Sequence, residues 1–308
     1  MPESCPSPSG STAQPLWRFF VVLAIIAFVF FMLGRMTAPS VVPSPVAPTP
    51  ILGSAGDDSG TLVGRSRSAT LEEVLQMARR GLVELEQNVD DYTATMVKQE
   101  RIGDRLHPEQ TIELKLQTRR IEGGEVTRPM RVYLHFLLPA ESQGQEVIWV
   151  EDENDGKLVA HKGGRWNLLR AWLKPDSFLA MSGNRYPITQ IGMTNLIKKL
   201  IERGEHDLKT ATATVTIADG HRVGDRECQL IRVRHAEPNG DPDDFSLAEI
   251  AIDSERLLPL RYTAFGWPSA EEGGDPPLLE SYTYLDVRVN EGLTESDFDP
   301  DNPAYDFP

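Results

Sequence analysis

The chain has 308 residues, 40% hydrophobic and 25% charged, a composition that folds around a core and excludes a largely disordered polymer. Its formal net charge of -15 repels phosphate backbones and argues against nucleic acid as a partner; Lys198, Lys199 and Arg203 form too small a basic group to reverse that field. Cys5 and Cys228 are the two cysteines, too few for the paired Cys/His sets of structural zinc or iron–sulfur sites.

Phe19 and Leu33 bound an apolar run without a charge, flanked by Arg18 and Arg35, whose side chains are long enough to reach lipid headgroups. With Leu16, Trp17 and the residues up to Ala38 it reaches the roughly 20 residues that cross a bilayer. Pro39 disfavours cleavage after Ala38 and no lipobox cysteine follows, so the segment reads as an uncleaved signal anchor. On this reading residues 1–15 are a cytoplasmic tail and 16–38 a single span in the inner membrane. Residues 39–69, with Pro39, Pro43, Pro45, Pro48 and Pro50, are a linker with polyproline II character. Residues 70–308 then form a domain on the periplasmic, extracytoplasmic side.

Thr70 and Glu73 have the spacing of a capping box and open an amphipathic helix with Leu71, Val74, Leu75, Ala78, Leu82, Leu85 and Val89 on one stripe. From Tyr92 the period changes to two, which predicts antiparallel strands over 92–98, 111–117 and 131–137. Strands over 145–150 and 157–161 flank the acidic run from Glu151 to Gly156. A calcium loop starting at Glu151 would have Lys162 at its twelfth position, where a bidentate glutamate is required. A hairpin turned at Asp155 and Gly156 is therefore expected. A strand over 166–172 and an irregular stretch over 174–187 precede a second helix over 188–203, stopped by Gly204. Strands resume over 213–217, 227–235, 247–252, 260–265 and 279–289.

So many antiparallel strands with helices in two places predict a mainly β, α+β fold: a curled sheet forming an incomplete β-barrel, with the helices covering its concave side. Val132, Leu134, Phe136, Val147 and Trp149 are the alternating apolar residues expected to face the interior. Trp149, Trp166 and Trp172 are candidates to line a groove for acyl chains or a peptide. Arg185, in the polar turn from Gly183 to Pro187, has the chemistry to hold a carboxylate or phosphate, or else to satisfy carbonyls in a buried loop.

Four separated stretches carry a family resemblance: YTATMVKQER from Tyr92, QEVIWVE from Gln145 with GKLVAH from Gly156, MSGNRYPIT from Met181, and NEGLTESDFDPDNP from Asn290. Together they resemble the bacterial domain of unknown function 1571, over about residues 71–308. That family is similar in fold to lipoprotein-carrier (LolA/LolB-like) domains, an incomplete antiparallel barrel with helices at its mouth. The resemblance implies a non-enzymatic, extracytoplasmic binding domain without a cofactor, and it supplies no functional residues.

The nucleophile elbow, the HExxH helix and the P-loop do not occur in the sequence. The leading expectation is a membrane-anchored module for lipid, lipoprotein acyl chains or an apolar peptide. The alternative is an envelope protein-interaction or sensor domain without a lipid ligand. An enzyme would need His161, Arg185 and acidic side chains to converge in one cleft.

Overall fold

The computed structural model describes residues 65–164, 167–210, 212–241, 244–268 and 274–308. The expected cytoplasmic tail, signal anchor and nearly all of the linker, together with Trp166, lie outside the described residues. Among those described, no helix is long and apolar enough to cross a membrane.

The strands are β1 (Ser66–Ala69), β2 (Asp91–Ile102), β3 (Arg105–Leu106), β4 (Gln110–Gln117), β5 (Arg120–Glu122), β6 (Glu125–Arg128), β7 (Arg131–Leu138), β8 (Glu146–Val150), β9 (Leu158–His161) and β10 (Ala171–Leu173). After a long connection follow β11 (Ala213–Val223), β12 (Arg226–His235), β13 (Leu247–Asp253), β14 (Pro259–Phe265) and β15 (Leu278–Val289). The helices are α1 (Leu71–Asn88) and α2 (Met193–Thr210). All strands but β5 and β6 form one antiparallel sheet in the order β1-β11-β12-β13-β14-β15-β2-β4-β7-β8-β9-β10, with β3 beside β2. Two meanders, β2 to β10 and β11 to β15, meet where β15 pairs with β2. The end strands β1 and β10 do not pair with each other, so the sheet curls without closing.

Alternation decides which face each residue takes. Tyr92, Ala94 and Met96 of β2, Ile112, Leu114 and Leu116 of β4, and Val132, Leu134 and Phe136 of β7 join one buried cluster with Leu85 of α1 and Met193 and Ile197 of α2. The helices therefore cover this concave face. Tyr133, Ile148, Val150 and Val159 point the other way and are covered by the C-terminal chain through Phe298, Tyr305 and Phe307.

Four local structures depart from the sequence reading. Residues 66–69, placed there at the end of the linker, are edge strand β1 on β11. The second helix begins at Met193: Ile188–Gln190 is a 3-10 turn, and Gly192 has φ +101, a left-handed backbone where a Cβ would meet Leu116 Cδ1 at 2.7 Å and the Tyr92 hydroxyl at 3.0 Å. Nor does the helix stop at Gly204. That residue lies inside α2, where a Cβ would meet Leu75 Cδ2 of α1 at 2.8 Å, so its glycine serves the close approach of the two helices. The strand expected over 166–172 is only β10, because the Asn167 amide donates to the Asp306 carbonyl and Arg170 Nε to the Pro308 carbonyl at 2.8 Å.

Thr70 accepts from the Glu73 amide at 3.2 Å, half of the expected capping box. The Glu73 carboxylate instead forks with Arg67 of β1, at 2.6 and 3.1 Å. Between β8 and β9 the chain turns through Asn154–Gly156, with positive φ at Asp152, Asn154, Asp155 and Gly156. The hairpin thus forms, with a longer loop than a two-residue turn.

Candidate functional site

A cavity of about 710 Å3 lies between the concave face and the segment that leads into α2. That falls within the roughly 300–1,000 Å3 of sites that bind small molecules. Its sheet wall is apolar, with Met96, Ile112, Leu134, Phe136, Val147 and Leu158; Leu173, Leu179, Ile188 and Ile191 face it from the connection after β9. These inward positions are i, i+2 sets of adjoining strands, so the same alternation that builds the core builds the wall.

One end of the wall is polar. On β2 the inward set continues from Met96 to Lys98 and Glu100, and on β15 it runs through Glu280, Tyr282 and Tyr284. Register puts Glu280 opposite Glu100 and Tyr282 opposite Lys98. Both glutamates are buried. Two carboxylates facing each other out of water are costly unless donors surround them. Those donors are present: the Tyr282 hydroxyl donates to Glu100 Oε1 at 2.5 Å, and Lys98 Nζ to Glu100 Oε2 at 3.1 Å and Asn184 Oδ1 at 2.6 Å. The Arg185 backbone amide donates to Glu100 at 3.0 Å, the Tyr186 hydroxyl to Glu280 at 3.3 Å, and Arg185 Nε lies 3.6 Å from Glu280.

Burial pushes the Glu280 carboxyl up from its ordinary value, and Arg185, Lys199 and the two phenols only partly offset it. Burial, reinforced by the glutamates, holds the Tyr186 and Tyr282 phenols well above their ordinary value, so both remain protonated donors. The Lys199 ammonium sits 3.3 Å from the centre of the Tyr186 ring, a cation–π contact at the helix side of the same cluster. An apolar wall that ends in paired carboxylates, phenols and a lysine suits an amphiphile, with the chain along the wall and the polar group at the end.

A second cavity, of about 410 Å3, lies between α1, α2 and strands β12 to β14 and shares Tyr186, Leu196, Lys199, Tyr262 and Glu280 with the first. Beside it, buried charge ties α2 to the sheet. The His235 ring, with no side-chain exposure, lies between Asp207 Oδ2 at 3.3 Å and Asp244 Oδ1 at 3.1 Å, and Arg203 Nε reaches Asp207 at 3.0 Å.

Leu134, Phe136 and Val147 line the main cavity. Val132 and Trp149 share its face but are packed in the core, with the Trp149 indole donating to the Gly156 carbonyl at 3.4 Å. Trp172 is exposed on β10 opposite Val159, whose side chain points to the convex face, and so stands outside the cavity. Arg185 lines the second cavity and forms part of the polar cluster; its Nη1 also donates to the Arg101 carbonyl at 3.4 Å. His161 is on the opposite face of the sheet from Arg185, bonded to Glu146 at 2.6 Å beneath the C-terminal chain. The convergence an enzyme reading needed is not formed by these two residues.

Lys98, Glu100, Tyr186, Glu280 and Tyr282 did not emerge from the sequence as site residues. The signal was there in the parity: on both strands, charged and phenolic residues occupy the same alternate positions as buried apolar ones.

The family model described as "Protein of unknown function (DUF1571)" matches residues 89–307. The chain belongs to this family. Its members' description carries no activity, so the family fixes kinship and leaves the role to the site. No curated protein matches the sequence. Among solved structures, a DUF1329 family protein from Desulfovibrio piger is 11% identical, with TM-score 0.34, covering 74% of this chain and 97% of that one. A putative outer membrane lipoprotein-sorting protein domain from Vibrio parahaemolyticus is 10% identical, with TM-score 0.34, covering 75% and 97%. A LolA superfamily protein from Nitrosomonas europaea is 10% identical, with TM-score 0.26, covering 75% and 98%.

Proposed function

We propose that this DUF1571 domain is a non-enzymatic binding module for an amphiphile: a lipid, a lipoprotein acyl chain or an apolar peptide with a polar end. The observation that carries the reading is the 710 Å3 cavity, apolar along the sheet wall and polar at the Glu100–Glu280 end. Residues 16–38 anchor the module in the inner membrane with the domain on the periplasmic side, and an anchored domain serves one bilayer instead of diffusing between two.

The test uses the full chain in vesicles with a photoactivatable fatty acid, mapping crosslinks by peptide mass spectrometry. Crosslinks on peptides holding Leu134, Phe136 or Val147 are expected. Ala160, which also lines the cavity, should abolish them when replaced by phenylalanine. Crosslinks confined to the segment bounded by Phe19 and Leu33 would overturn the proposal.

A further inference from the structure

The exposed apolar residues of the described chain are unevenly spread. Val83, Leu106, Ile121, Val126, Leu138 and Leu208 are scattered over six elements, as on any soluble surface. In contrast, Leu168, Leu169, Trp172, Phe178 and Leu179 fall within twelve consecutive residues. Phe178 at 87%, Leu169 at 80%, Leu168 at 70% and Leu179 at 67% have the four largest exposures among the described large hydrophobic side chains. Such a concentration is unfavourable in water, and covering it is a gain.

Charge indicates what covers it. The chain as a whole is strongly acidic, yet residues 162–179 hold Lys162, Arg165, Arg170 and Lys174 against Asp176 alone; Arg170 is paired with Asp301 at 2.7 Å, which leaves the lysines and Arg165 as the cations of this stretch for a lipid surface. Leucines, a phenylalanine and a tryptophan among cations form the composition that settles at the boundary of an anionic bilayer. There the apolar tips enter the acyl layer, the indole stays at headgroup level, and lysine and arginine meet the lipid charge. A bilayer is also within reach: the 26 residues from 39 to 64 between the apolar segment and the described domain span at most about 90 Å.

Position adds a further argument. Leu179 is both exposed and part of the cavity lining, and Leu173, Pro175 and Ala180 of the same stretch line the cavity too. The stretch therefore borders the cavity through Leu179, while Trp172 lies on the convex side of the edge strand. It also adjoins β10, the last strand of the sheet, whose outer edge carries no partner strand among the described residues.

We propose that residues 168–179 dock into the interface of an anionic lipid bilayer, with Leu168, Leu169, Phe178 and Leu179 entering the lipid and Trp172 at the headgroups. Docking would hold the cavity's border against the membrane. The proposal goes beyond ligand uptake, since a surface can dock whether or not the cavity is filled.

The experiment uses the full chain with Cys5→Ser, leaving Cys228, which is buried and inaccessible to label. An environment-sensitive fluorophore is placed on Phe178→Cys or, as control, on Ile121→Cys of the β5–β6 ribbon; both positions are exposed, so folding is preserved. The chain is reconstituted in phosphatidylcholine vesicles with and without phosphatidylglycerol, plus lipid carrying a doxyl quencher. Docking predicts a blue shift and quenching at 178, absent at 121, and lost when phosphatidylglycerol is omitted or Leu169 is replaced by aspartate. A 178 label as wet and as unquenched as the 121 label in both compositions would overturn the proposal and leave a protein partner as the cover. Acyl crosslinking inside the cavity is a separate readout, so either proposal can fail alone.

Discussion

Asp207→Ala tests how α2 is held over the cavities. Asp207 is 2% exposed and accepts from Arg203 Nε at 3.0 Å, with His235 Nε2 at 3.3 Å from its other oxygen. Removing it deletes one charge-assisted hydrogen bond, from Arg203, worth about 1.5–3 kcal/mol, and the close approach of the His235 ring. Arg203 retains Asp241 at 3.2 Å and Asp244 at 3.4 Å, and His235 retains Asp244, so the loss belongs towards the lower end, about 2 kcal/mol at pH 6. The pH dependence has a definite sign. Burial alone would lower the His235 pKa, but Asp207 and Asp244 outweigh it and raise the pKa above 6.5. The folded chain then binds a proton that the unfolded chain releases, so the stabilisation is complete below pH 6.5 and fades as pH rises through the folded value. Urea denaturation of wild type and variant at pH 6 and pH 9 measures both effects. A difference under about 1 kcal/mol at pH 6, or one that grows with pH, would refute the reasoning.

Two further substitutions probe the cavity walls. Gly192→Ala adds a Cβ against Leu116 and the Tyr92 hydroxyl on a backbone with φ +101, and should cost about 2 kcal/mol or more in urea melts. A neutral result there would mean that the turn entering α2 relaxes freely. Glu280→Gln should stabilise the empty chain at pH 8 and not at pH 4. Burial raises this carboxyl's pKa, so its penalty is absent below 4.5 and develops as pH rises towards the folded value. A loss of stability on substitution that is larger at pH 8 than at pH 4 would show instead that Glu280 is held as a satisfied anion.

Most of the strand framework was legible because a half-buried strand writes its exposed and buried faces in alternate residues. Of the strands from β2 to β9 of the main sheet and those from β11 to β15, most carry that pattern; β8, buried at all five positions, does not. What was not legible has specific causes. Ser66, Arg67, Ser68 and Ala69 of β1 are mostly exposed and have no periodic apolar signal, and their strand exists because β11 offers an edge. Gly204 looked like a helix stop, since glycine at a C-terminus and glycine at a close helix crossing are identical in sequence; only the nearness of Leu75 separates them. Of the site, the apolar wall could be named in part through Leu134, Phe136 and Val147. The polar end could not, because Glu100 and Glu280 are 180 residues apart and meet only through the β2–β15 register that joins the two meanders.

Lipid occupancy of the intact chain tests the central claim most directly. Native mass spectrometry of full-length protein released from membranes in mild detergent should show bound amphiphile on the wild type. The Ala160→Phe variant, with its cavity narrowed at the apolar wall, should lose most of that mass while unfolding at the same denaturant concentration. Equal occupancy in the two proteins, or a wild-type chain without bound amphiphile, would contradict the account.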